Sequence, residues 1–224
     1  MTTRLARFAP LAGIVFAVLT VAGNGSIGKF PDAGTPIAKL IPFYAAHHSG
    51  IARGGLLLQW AALFLALFGA VVWARIRSSD LSPLVAGAAL LGAAVAVANQ
   101  FAGAGVYSTL GFIGNKHTVA PAALQAWHIN GSGGGLVTGD GGLAILLLAV
   151  AAAGIAARAF PRWLAWSALL LAILQLTPIG YQAEIVFWAW AAVAGAYMAL
   201  RPTGAQALDR RGRTAEFAGS APTL

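Results

Sequence analysis

The sequence predicts an all-α fold: a polytopic membrane bundle of six transmembrane helices with two short outer interfacial helices and both termini cytoplasmic. Three observations lead there. Hydrophobic residues fill 59% of 224 positions and charged residues 9%, with mean hydropathy +0.78, which leaves too little polar surface for a water-soluble particle. Six apolar segments approach the roughly 20 residues that cross a hydrocarbon core of about 30 Å. The basic residues then sort by side. Arg4, Arg7, Arg75, Arg77, Arg158, Arg162, Arg201, Arg210, Arg211 and Arg213 fall on one side, and Lys29, Lys39, Arg53 and Lys116 on the other. Ten against four is a positive-inside signal, so the arginine side is expected to be cytoplasmic.

The spans are expected near 8–24, 54–74, 82–104, 136–157, 163–180 and 185–200. The first follows Arg4 and Arg7 and ends in Thr20-Val21-Ala22-Gly23, a pattern shared with cleavable signal peptides. A retained helix satisfies the arginine pattern without removal, and that is the reading adopted. The loop after it opens with Asn24-Gly25-Ser26 and turns at Pro31-Asp32. From Thr35 to His48 a separate helix is expected, with Thr35 as N-cap and Pro36 at the first helical position. Ile37, Leu40, Ile41 and Tyr44 recur at helical spacing, which suits a helix lying flat on the outer interface as a lid. A second proline-started helix is expected from Pro121 through Trp127 and His128. Residues 1–201 read as one membrane domain, and 202–224 as an Arg-rich cytoplasmic tail, expected to be disordered and to contact anionic lipid.

Residues 131–142 carry seven glycines in twelve, with Asp140 among them. As a helix, this run would place Gly131, Gly135, Gly139 and Gly142 on one face for close packing, with Asp140 opposite. As a broken helix, its freed backbone and Asp140 would contact an ion or substrate. No Gly-Lys-Ser/Thr follows, so it is not a phosphate loop.

Polar residues gather towards the outer surface. At ~1.5 Å per residue, Asp140 lies ~27 Å from Arg158, Glu184 ~25 Å from Arg201, Gln59 ~24 Å from Arg75 and Gln100 ~30 Å from Asp80. Gln175 is deeper, ~20 Å from Arg162, and suits a pocket floor. Polar groups buried in lipid are costly, so such a cluster is expected to line a pocket. The candidate ligand-binding residues are Asp140, Glu184, Gln100, Asn99, Gln59, Arg53, Gln175, His128, Trp127 and Tyr181. Glu184 also suits the start of the sixth helix, where the helix dipole favours a carboxylate. Arg53 is a natural counter-ion for either acid.

Cysteine is absent, which excludes disulfides, thiolate metal sites and cysteine nucleophiles. His47, His48 and His128 are only weak metal candidates, because no His-x-x-x-His or Glu-x-x-His spacing places two ligands on one helix. No cofactor is predicted. The excess basic charge follows topology and is no nucleic-acid footprint.

The stretch Pro31-Asp32 through Tyr44-Ala45-Ala46-His47, a glycine-led second span ending Arg75-Ile76-Arg77, and Phe160-Pro161-Arg162-Trp163-Leu164-Ala165-Trp166 together resemble a broad group of actinobacterial six-helix membrane proteins known as domains of unknown function. The resemblance covers about residues 8–200. It implies the fold and a place in the cell membrane, and carries no catalytic residues. The expected partners are the bilayer and a small-molecule or lipidic ligand, with a membrane-protein partner or a homo-oligomer as a further candidate. Three functions remain open: binding or transport through an outward pocket, a membrane-embedded enzyme using Asp140 or Glu184 as general acid on a lipidic substrate, and a packing subunit of a larger complex.

Overall fold

The computed structural model describes residues 8–114, 120–131 and 140–201. Within them every regular element is a helix. A 3-10 turn, Ala9–Leu11, leads into α1 (Ala12–Ile27), followed by α2 (Ile37–Arg77), α3 (Pro83–Ile113), α4 (Pro121–Gly131), α5 (Gly141–Ala156), α6 (Arg162–Gln175) and α7 (Gly180–Leu200). Four stretches are long and apolar enough to cross a membrane: Ala9–Ile27, α2, α3 and α7. The other two apolar helices, α5 and α6, have 16 and 14 residues, or about 24 and 21 Å.

The ends follow local chemistry. Gly28 stops α1 at φ 71°, a left-handed conformation open to glycine, and its N–H donates to the Asn24 carbonyl. Ser82 caps α3, accepting from Leu84 N, with Pro83 at the first helical position. Polar side chains inside α1 bond back one turn: the Thr20 hydroxyl to the Phe16 carbonyl and the Asn24 amide to the Thr20 carbonyl.

The expected outer helix over Thr35–His48 is not a separate element. It is the beginning of α2, a single helix of 41 residues and about 60 Å, with Pro42 inside it and Pro36, not Thr35, at its N-cap. The reason is phase. Leu40, Tyr44, Ile51 and Leu58 are buried on one face straight through His47-His48-Ser49-Gly50, so packing outweighs the turn signals there. The flat lid therefore falls, and α2 runs on beyond the length of any hydrocarbon core. The second proline-started helix forms as expected, as α4.

α1, α2, α3, α5, α6 and α7 close into a ring in which each helix packs on the next and α7 returns to α1; the α6–α7 contact is the slightest. The ring's core holds Phe16, Leu65, Phe68, Leu146, Leu147, Leu164 and Phe187. Phe187 stacks on Trp190 at 5.9 Å and lies 6.0 Å from Phe16.

Much of the packing is inside-out relative to a soluble bundle. Along α3 the buried face is Ala86, Ala89, Gly92, Ala93 and Ala96, while Leu84, Leu90, Leu91 and Val95 face outward. Small residues at the seam and large ones outside are what lipid as solvent selects. The tightest seam is α3 against α5. A Cβ on Gly92 would lie 2.6 Å from Leu146 N, and one on Gly142 would lie 2.5 Å from Ala96 N.

At one end of the ring Arg75 ties three elements. Its Nε donates to the Ala159 carbonyl at 2.8 Å and its Nη1 to the Arg201 carbonyl at 3.1 Å. Its guanidinium sits over the rings of Phe160 and Tyr197 at 5.4 and 5.7 Å. Because Ala159 follows α5, this contact fixes the opposite end of α5, at Asp140, as the far end of the ring.

Beyond that far end a smaller core forms a cap. Ile27, Leu40, Tyr44, Ile51, Leu110 and Leu124 pack there, with Phe30 and Tyr107 against them. α4 closes the cap.

Candidate functional site

Asp140 does not sit within a helix, as the span drawn from residue 136 required. It is the N-cap of α5, and its Oδ1 accepts from Gly142 N at 2.7 Å and Leu143 N at 3.2 Å. An aspartate before a run of glycines is a strong helix start, because its carboxylate satisfies N–H groups that have no intrahelical partner. The expected glycine stripe dissolves with it: Gly131 closes α4, Gly142 belongs to α5, and Gly135 and Gly139 lie outside the described residues.

Around this cap the structure assembles three other predicted residues. The Asn99 amide, from α3, donates to Asp140 Oδ1 at 3.2 Å. Gln175, the last residue of α6, accepts from Asp140 N–H through Oε1 at 3.1 Å. Since that N–H needs an oxygen, the orientation of the carboxamide is set and Nε2 is left as a donor. Gln175 is 0% exposed, and its Nε2 has no acceptor among the described residues. Glu184 lies in the second turn of α7, the fifth residue and so past the capping positions, within electrostatic range of both Asp140 and Tyr107. Two carboxyl groups and two side-chain amides, one of them with a buried donor unpaired among the described residues, thus gather where the short helices α5 and α6 stop and α7 begins.

Other predicted residues stand apart. Of the adjacent candidates Asn99 and Gln100, only Asn99 is hydrogen-bonded to Asp140 among the described residues; one step along a helix turns a side chain by about 100°. Gln59 donates to the Ser108 hydroxyl at 3.3 Å, joining α2 to α3. Arg53 is exposed, and among the described residues no ion pair links it to Asp140 or Glu184, so it is not their counter-ion. Trp127 and Tyr181 are exposed.

His128 belongs to the cap. It is fully buried, with Nδ1 2.8 Å from the Tyr44 hydroxyl and Nε2 2.9 Å from the Asp32 carbonyl. A carbonyl only accepts, so Nε2 carries the proton and Nδ1 accepts from Tyr44. Phe30 stacks on the imidazole at 5.4 Å and meets Tyr107 edge-on at 5.6 Å. Tyr107 in turn donates to the Gly131 carbonyl at 3.0 Å. His47 and His48 each bond a carbonyl of their own helix, Phe43 O and Ala45 O. Among the described residues no group of three or more His, Cys, Asp or Glu could hold a metal ion. Lys116 and His117 lie outside the described residues.

Sequence reasoning missed the Tyr44–His128–Asp32 node and the Arg75 clasp. The first pairs residues 84 positions apart, which periodicity does not register. The second had a signal: Phe160 and Tyr197 are aromatic residues close to expected cytoplasmic helix ends, where an arginine finds a ring.

The fold and the site define a helical protein with several helices suited to a membrane. No protein-family model, curated protein or solved structure matches the chain.

Proposed function

We propose that the chain is a six-span protein of the cell membrane that binds, or passes on, the polar group of a small molecule or lipid at the Asn99–Asp140–Gln175–Glu184 cluster. α5 and α6 act as two short spans, both termini are cytoplasmic, and the cluster opens outward. The observation that carries the reading is Gln175: a buried amide donor without an acceptor among the described residues, near two carboxyl groups, is costly unless a ligand or water completes it. The positive-inside partition supports the orientation, since Arg75, Arg77, Arg158, Arg162 and Arg201 all lie at the ring end away from the cluster.

A general-acid enzyme is less well supported. Asp140 Oδ1 already accepts three hydrogen bonds, two of them from backbone it must hold. The test combines topology with binding. Single cysteines at Ser79 and Ser26 should be, respectively, protected from and reactive towards an impermeant thiol reagent in intact cells. Asp140→Asn keeps the cap while removing the charge, so it should weaken retention of co-purifying small molecules or lipids without lowering thermal stability. Labelling of Ser79→Cys from outside, or unchanged retention in Asp140→Asn, would overturn the reading.

A further inference from the structure

We infer that the arginine end of the ring holds the phosphodiester headgroup of an anionic phospholipid, seated on Arg75 and Arg201 at the foot of the α6–α7 seam. This site is separate from the Asp140 cluster and rests only on the chain lying in a membrane. Two guanidiniums share one ring there. Arg75 and Arg201 each sit 5.7 Å from the centre of the Tyr197 ring. They are also tied through the backbone, because Arg75 Nη1 donates to the Arg201 carbonyl. Like charges held this close repel, and among the described residues, Asp80 included, no carboxylate pairs with either.

The donors are unspent. A guanidinium carries five N–H groups, and Arg75 uses two of them, on the Ala159 and Arg201 carbonyls. Those two bonds fix its plane in advance, so little freedom is left to lose on binding. The Arg201 side chain is exposed and hydrogen-bonds no described residue. A monoanion whose oxygens only accept fits both forks, and a phosphodiester is such a group.

What lies beside the charges makes the ligand a lipid. Trp163 meets the Tyr197 ring edge-on at 6.3 Å and is itself exposed. From it Trp166, Leu170 and Ile173 follow along α6 at helical spacing, all exposed. That apolar stripe leads away from the charged foot, as acyl chains lead away from a headgroup. Along it α6 meets α7 more slightly than any other adjacent pair in the ring meets. A free phosphate would use the arginines and leave the stripe idle, whereas basic sites at helix ends beside an aromatic belt suit anionic headgroups. A choline headgroup would bring a cation against two guanidiniums.

Native mass spectrometry of the full chain, released from nanodiscs holding equal amounts of phosphatidylglycerol and phosphatidylcholine, tests this. Phosphatidylglycerol should be retained about tenfold over phosphatidylcholine, a margin of one charge-assisted hydrogen bond. Arg201→Gln should remove most of that preference. Arg77→Gln, which removes an exposed charge held over Trp73 instead, should leave it nearly intact. Equal losses in the two variants would mean diffuse attraction to the arginine surface and overturn the site. Competition by excess inorganic phosphate would overturn the lipid as its source. Asp209→Asn combined with Glu216→Gln should change nothing; a gain in retention would show that the chain's own acids fill the arginines, and would overturn the assignment. Loss of the preference in Asp140→Asn would move the lipid to the other end of the ring. A native chain with no preference at all would overturn the inference and leave the reading of the Asp140 cluster untouched.

Discussion

Replacing Gly92 by alanine should loosen the ring at its tightest seam. The new Cβ would lie 2.6 Å from Leu146 N and 2.8 Å from Gly142 O, both backbone atoms of α5. Ordinary carbon contacts begin near 3.5 Å, so the helices must part by close to an ångström or tilt. Overpacking of this kind costs about 1–3 kcal/mol, against a gain of about 1 kcal/mol in helix propensity for any Gly→Ala change. Gly87→Ala cancels the second term. It lies in the same helix, is exposed, and its Cβ would meet nothing within 4 Å. The difference between the two variants therefore isolates the steric cost, with Gly92→Ala less stable than Gly87→Ala by about 1–3 kcal/mol. Reversible unfolding in mixed detergent–SDS micelles, followed by helical circular dichroism, measures it. Equal stability of the two would refute the close α3–α5 approach.

Tyr44→Phe removes the donor to His128 Nδ1 inside the cap and should cost about 1–3 kcal/mol of unfolding free energy in the same assay, with faster amide exchange along α4. Arg75→Lys keeps the charge but loses the planar fork that reaches Ala159 and Arg201 carbonyls together, so a loss of about 1–2 kcal/mol is expected, checked by the same unfolding curves.

How far the sequence could be read varied with the range of the interaction. A local signal was sufficient for Pro121 opening α4, because a proline acts on adjacent backbone, whereas Asn24-Gly25-Ser26, expected to open a loop, stays inside α1, which runs on to Ile27 and stops at Gly28. Gln175, counted as deeper than Asp140, is fully buried and accepts from the Asp140 backbone N–H. Rise fixes depth and says little about azimuth, so counting admits Asn99 and Gln100 alike, and it is Asn99 that reaches Asp140. The break expected between His48 and the second span failed for a tertiary reason. Glycines and paired histidines weaken a helix locally, but Tyr44 and Ile51 are held from the side by the cap core, which spans four helices. Arg53 was paired with the acids by charge alone, and charge does not bring an exposed side chain across a bundle.

The continuity of α2 makes it a lever. One end carries Tyr44, engaged with His128 in the cap, and the other carries Arg75, pinned to the turn after α5 and to the foot of α7. A rod of 41 residues is about 60 Å long, so a tilt of roughly 5° about its pinned foot swings the free end by about 5 Å. Motions too small to register at the arginine end are thereby magnified at the cap, and a push on the cap arrives at the foot as torque with little travel.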